Sequence, residues 1–241
     1  MPIPAYELYR PYEEDKFKTS TQKKVAQALG EAENGRAKEA REILVELEEA
    51  RELFGKDFLG PEALQKTFQV ELTPEELDAI KHIPFSREEL EQAKELGMML
   101  VLRSGRDKDK NPLTISRIRE LFKDGDTLGD PQRKKNKIFL YQTWYDNEDF
   151  ATKATATLGW GLVKKEVLPD STPKTWEQQQ ELLKKWAEDN NIDPATIRRR
   201  TPIEVVYDTM LYYGGNQESL LGNHYDWTGV ESSRRYPVYV G

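Results

Sequence analysis

The 241-residue chain contains no cysteine and only two histidines, His82 and His224. The first absence excludes disulfides, thiolate nucleophiles and Cys-ligated zinc or iron–sulfur centres. The second leaves imidazole chemistry to two side chains far apart in sequence and without ligand spacing. His82, at the end of a helical stretch, suits the negative pole of the helix; His224, beside Tyr225 and Asp226, is weak evidence for a metal or acid–base role. No run approaches the roughly 18–20 apolar residues of a membrane helix. The opening MPIPAYELYRPYEEDKF has no basic stretch leading into an apolar core, so it does not read as a secretory signal. A soluble, cytoplasmic protein is the expectation.

Catalytic signatures are also missing. There is no G-x-S-x-G elbow, no glycine-rich phosphate loop and no H-E-x-x-H. The Gly159–Trp160–Gly161 triplet is too short for a dinucleotide fingerprint. Positive charge is in deficit as well: the net charge is −7. A protein built to bind nucleic-acid phosphates needs a concentrated basic face, so nucleic acid is not an expected partner.

What the sequence does have is size and aromatic content. Its 11 tyrosines and 5 tryptophans argue for packed domains rather than an acidic disordered chain. A compact fold of this length buries roughly 70–75% of its unfolded surface. In residues 33–55, Ala37, Ala40, Ile43, Leu44, Leu47, Ala50, Leu53 and Phe54 recur at three- and four-residue spacing, and Gly55 supplies the stop. Capping boxes at Thr73–Glu76 and Ser86–Glu89 announce two further helices, the second ending at Gly97. Residues 1–96 therefore read as a helical N-terminal region.

From residue 97 the pattern changes, and residues 97–241 read as an α+β module. MMLVLRS (98–104), KIFLYQTWYD (137–146) and WGLVKKEVL (160–168) have strand composition. Short helical spacing follows Thr114, and longer helical spacing includes Trp176, Leu182, Leu183 and Trp186. A third capping box, Thr201–Glu204, opens a helix expected to stop at Gly214–Gly215. In the tail, Tyr236, Val238 and Val240 alternate with Pro237 and Tyr239, as strand residues do. No strand follows this one to pair with it, which reads as a module cut short.

Asp107, Asp109 and Asn111 have the opening spacing of a calcium loop. Pro112 stands where the turning glycine belongs, and Ile118 where the bidentate carboxylate belongs, so the stretch reads as a polar turn. The basic runs 132–137 and Arg198–Arg200 read as surface charge, and Trp176, Trp186 and Tyr212 as core. No metal or cofactor is expected.

Several stretches taken together carry a resemblance: YRPYEEDKFKT, PFSREELEQAKELGMMLVLR, LGWGLVKKEVLPDSTPKTWEQQ, TPIEVVYDTMLYY and YDWTGVESSRRYPVYVG. In this order they resemble an uncharacterised group of bacterial proteins. The C-terminal region of that group is similar to the variable region of diversity-generating retroelement target proteins, which have a C-type-lectin-like fold. That fold is related in shape to formylglycine-generating enzymes without being catalytic. The resemblance implies a module lacking its final strands and a surface whose codons are rewritten while the framework persists. Where the group has Asp-Gly after paired serines, this chain has Arg234–Arg235.

The function this implies is non-enzymatic binding of an unidentified protein or surface ligand. Trp227 would belong to the framework, Val238 and Val240 would anchor the strand, and Arg234, Arg235, Tyr236 and Tyr239 would recognise the ligand. Two other readings stand beside it: an interaction protein binding through its charged N-terminal helices, and an enzyme of the formylglycine-generating type.

Overall fold

The computed structural model describes residues 47–80, 82–123, 128, 139, 143–172, 174–220 and 224–241, and the backbone of residues 6–9. The fold is α+β. Among the described residues the elements run β1 (Tyr6–Tyr9), α1 (Leu47–Phe54), β2 (Phe58–Leu59), α2 (Pro61–Phe68), α3 (Pro74–Ile80) and α4 (Arg87–Glu95). They continue with β3 (Met98–Arg103), α5 (Ile115–Leu121), α6 (Asp149–Thr152), β4 (Gly159–Lys164) and α7 (Trp176–Asp189). The last are β5 (Ile197–Arg199), α8 (Pro202–Asn216), β6 (Asp226–Glu231) and β7 (Pro237–Val240). No helix among the described residues is long and apolar enough to cross a membrane.

Five strands form one sheet in the order β2-β3-β4-β1-β5, with β2 parallel to β3 and the other pairs antiparallel. β3 is buried along its whole length, and β4 is buried from Gly159 to Val163. A continuous apolar run of strand length is what a strand covered on both faces requires. Leu100 and Leu162, directly opposed across the two strands, are both fully buried. The indole of Trp160 is buried too, and its N–H donates to the Ile80 carbonyl at 2.9 Å, which satisfies its one polar atom.

The helix starts follow the capping chemistry. At Ser86 the hydroxyl accepts from the Glu89 amide (3.2 Å), and the Glu89 carboxylate accepts from the Ser86 amide (2.8 Å). Thr73 and Glu76 make the same reciprocal pair, and so do Thr175 and Gln178. At Thr201 the amide and the hydroxyl both donate to Glu204, at 2.7 and 2.8 Å.

α8 runs past the expected glycine stop and ends at Asn216, with Gln217 in the left-handed conformation as its cap. The two glycines lie inside the helix, where Gly214 faces α2 and Gly215 faces Leu59 of β2. A Cβ built on Gly214 would lie 2.1 Å from the Thr67 hydroxyl, so only glycine lets the two helices approach this closely. Here a glycine marks a close contact rather than a terminus.

Residues on both sides of position 96 share one hydrophobic core: Phe54, Leu64 and Leu90 belong to the same cluster as Leu100, Trp160 and Tyr207. β2, from the N-terminal side, pairs with β3. Of the helix expected over 37–54, the part before residue 47 lies outside the described residues. So do the basic run at 132–137 and half of the expected strand at 137–146. The described end of that strand, Trp144–Asn147, is a turn. Tyr212 is buried, as expected of core, whereas Trp176 and Trp186 are half-buried.

Candidate functional site

The chain's last described segment is a hairpin. β6 and β7 pair antiparallel, with Asp226 opposite Val240 and Trp227 opposite Tyr239, and a bulge separates this register from Glu231 opposite Pro237. The terminal strand therefore has a neighbour after all: its partner precedes it in sequence. Alternation upstream hides it, because the inward positions are the polar Asp226 and Thr228, while Tyr225, Trp227 and Gly229 beside them are not buried.

The inner side of the hairpin is fixed by polar contacts. The Thr228 hydroxyl donates to the Val238 carbonyl at 2.9 Å, and Val238 is buried. The Gly229 amide donates to the Arg200 carbonyl at 3.0 Å, which seats β6 beside the end of β5. Arg200 also donates to the Asp226 carboxylate, with both side chains fully buried.

This last contact belongs to a larger charge network. Arg103, the last residue of β3, meets Asp208 of α8 in a fork: Nε to Oδ1 at 2.8 Å and Nη2 to Oδ2 at 2.5 Å. Arg200 reaches the same carboxylate at 2.9 Å through Nη1. Arg198 makes a second fork on Glu204, at 2.8 and 2.6 Å, and Arg103 Nη1 lies 3.5 Å from Glu204. Three guanidinium groups thus face three carboxylates, which is the balance that a buried ionic cluster needs.

The expectation that Arg198–Arg200 is surface charge is overturned. Arg200 is fully buried and Arg199 nearly so; Arg199 donates to Gln179, Gln180 and two backbone carbonyls, and lies 4.9 Å over the Trp176 ring. The carboxylates needed to bury these cations lie at Glu204, Asp208 and Asp226. They sit on one helix face and on a distant strand, a convergence invisible in the linear run.

The network sets two protonation states apart. Burial pushes the Asp226 carboxyl up to about 7, against the opposing pull of Arg200. Its Oδ1 has no hydrogen-bond partner among the described residues. Burial also works to raise Glu204, but bonds from Arg198 and the charge of Arg103 outweigh it and bring Glu204 down to about 2. The Tyr207 hydroxyl, which accepts from the Ser104 amide at 2.9 Å, is driven up by burial. Apart from the partly exposed Arg198, this cluster is closed to solvent, and it joins β3, β5, α8 and the hairpin, so its role is to hold them together.

The outer side of the hairpin is the opposite in character. Tyr225 and Tyr239 are exposed and meet edge to face, ring centroids 5.4 Å apart, with half-buried Trp227 directly across from Tyr239. Trp227, expected in the framework, is thus less enclosed than its neighbours Asp226 and Thr228. At the far end, a three-residue loop joins Ser232 to Tyr236. The Ser232 amide donates to the Tyr236 carbonyl at 2.9 Å, and the Arg235 amide donates to the Ser232 carbonyl at 2.8 Å. Arg235 has φ 61°, the left-handed position where such loops favour glycine.

The four expected recognition residues are all exposed. The loop brings Arg234, Arg235 and Tyr236 together; Tyr239 lies on β7 and joins Tyr225 instead. Tyr236 does not share the inward face of Val238, as strict alternation implied, because it belongs to the loop, where it is 70% exposed. Val240 is half-buried.

One residue that the sequence did not single out meets the loop. The Glu148 carboxylate accepts from the Ser233 amide (2.8 Å) and hydroxyl (2.6 Å), and these bonds lower its pKa. Trp144, on the turn just before Glu148, is 53% exposed and packs its ring 5.9 Å from Phe150.

The other candidate sites resolve as local structure. Asp107 accepts from the Asp109 and Asn111 amides and from Arg117, all within 2.9 Å, which makes the polar turn expected between β3 and α5. Among the described residues, no group of three or more His, Asp or Glu side chains is placed to hold a metal ion. His224 is exposed at the start of the hairpin. No family model, no curated protein and no solved structure matches this chain.

Proposed function

We propose that this chain is a non-enzymatic binding protein whose C-terminal hairpin presents a recognition surface that tolerates side-chain change. One observation carries the reading: the hairpin separates its framework from its display. Asp226, Thr228 and Val238 are buried and bonded, whereas Arg234, Arg235, Tyr236 and Tyr239 are exposed. Tyr, Trp and Arg combine large contact area with polar reach at modest entropic cost, which is why they dominate binding hot spots. Substitution at the exposed positions leaves every inward contact in place.

The resemblance to retroelement variable proteins supports a further element of the proposal, that the exposed codons are the diversified ones. The flanking DNA then carries a near-copy of the hairpin's coding sequence, mismatched mainly at adenines, beside a reverse-transcriptase gene. If neither is found there, the retroelement part is wrong.

The binding reading is tested on the full chain by affinity capture from the source cell. Wild type is compared with a variant carrying Arg234→Ala, Arg235→Ala, Tyr236→Ala and Tyr239→Ala. The expected outcome is equal thermal stability with loss of the captured species. An unchanged set of captured species would move recognition elsewhere on the molecule.

A further inference from the structure

We infer that the hairpin tip docks an acidic segment of a partner protein, with Arg234 and Arg235 gripping its carboxylates and Tyr236 covering its apolar part. This deepens the proposed function and rests on it. The first observation concerns arginine use across the molecule. Arg51 bonds Glu62, Arg87 bonds Glu91, Arg106 bonds Glu76 and Arg119 bonds Asp146, even though most of these side chains are substantially exposed. Among the described arginines, only the side chains of Arg234 and Arg235 make no hydrogen bond or ion pair with another described residue; Arg234 acts on Glu148 through its charge alone. In a chain with more acidic than basic residues, two adjacent arginines left over is a departure from its own pattern.

The second observation is that the tip is held ready. Glu148 ties Ser233 by two bonds, and Ser232 closes the loop on Tyr236. The loop is thereby ordered before a partner arrives, which lowers the entropic cost of docking. Glu148 is the acid whose carboxylate feels the Arg234 charge, and Glu231 is the acid nearest the two arginines in sequence. Glu148 is already engaged by Ser233, and Glu231 is exposed on the neighbouring strand end. Arg235 also keeps a side chain at φ 61°, where glycine costs less backbone strain.

Charge selects the class of partner. A guanidinium fork matches a carboxylate in two parallel bonds. Nucleic acid fits less well, because phosphate binding draws on a broad basic face and two arginines neutralise only two phosphates, whereas each guanidinium fork matches a planar carboxylate. A short acidic peptide needs only the local match.

The test measures binding of a fluorescent decaglutamate peptide to the full chain at low salt, beside a decathymidylate oligonucleotide. Wild type should bind the peptide, more tightly than the oligonucleotide, and the affinity should fall as salt is raised. Arg234→Gln with Arg235→Gln should weaken peptide binding by about tenfold or more, with melting temperature unchanged. Arg235→Gly should raise the melting temperature while weakening binding. Absence of peptide binding, equal binding by the double variant, or preference for the oligonucleotide would each overturn the inference. The capture experiment reads the broader proposal separately, because it also depends on Tyr239 and does not assume an acidic ligand.

Discussion

Arg200 and Asp226 are paired with both side chains fully buried, which ties the loop before α8 to the first residue of the C-terminal hairpin. Arg200 also serves Asp208, so the hairpin is anchored to the same carboxylate that holds β3 through Arg103. Replacing both members of such a pair by apolar residues is often nearly neutral, whereas removing one strands a buried charge. Arg200→Ala should therefore destabilise the protein by roughly 3–5 kcal/mol. Urea denaturation measures this, and hydrogen exchange should show amides 228–240 losing protection first.

The pH dependence of stability should have two limbs of opposite sign. Asp226 has its pKa raised in the folded state, from 3.8 to about 7, so the native protein binds this proton more tightly than the unfolded chain. Its contribution is full below the unfolded value and is lost as pH rises through 7. Glu204 is lowered from 4.5 to about 2, so its contribution is present above 4.5 and is lost as pH falls toward 2. Denaturation series between pH 3 and 9 should show both, and Asp226→Asn should flatten the neutral limb while leaving the acid limb in place.

Gly214→Ala tests the close approach of α8 to α2. Alanine favours helix by about 1 kcal/mol over glycine, yet the added Cβ collides with the Thr67 hydroxyl. Overpacking of this kind costs about 1–3 kcal/mol, so the variant should melt lower than wild type. Gly215→Ala, whose Cβ would meet only a Leu59 methyl at 3.3 Å, should be milder. Thr67→Ala in the Gly214→Ala background should recover part of the loss.

Glu148→Gln separates order at the tip from global stability. The Ser233 hydroxyl and amide lose a charged acceptor, but the site is on the surface. Melting temperature should barely move, while amide exchange at Ser233 and Arg235 should accelerate. Unchanged exchange at both would show that the loop is held by its own backbone bonds.

Local signals were legible in the sequence wherever the chemistry is local. Thr73, Ser86 and Thr201 announced their helices because a cap and its partner lie three residues apart. The apolar run 98–103 announced β3 for a similar reason. The hairpin was half legible: the alternation around Val238 and Tyr239 was visible, but the partner strand hides behind Asp226 and Thr228, polar residues at buried positions. What made them buriable is Arg200 for one and the Val238 carbonyl for the other, neither of which is a neighbour in sequence. The same holds for Arg198–Arg200, a basic run whose compensating acids are supplied by the tertiary fold. Gly214–Gly215 misled because glycine serves both as a stop and as a point of contact.

The sheet order has a consequence for how the protein is made. β1, residues 6–9, lies between β4 at 159–164 and β5 at 197–199. A strand synthesised long before both of its neighbours must wait for them before both its edges are covered. Pairing across such separations makes assembly slow, and an uncovered strand edge is open to wrong partners in the meantime. Vectorial synthesis thus exposes the early strand for longest, and this is where a growing chain would gain most from a chaperone.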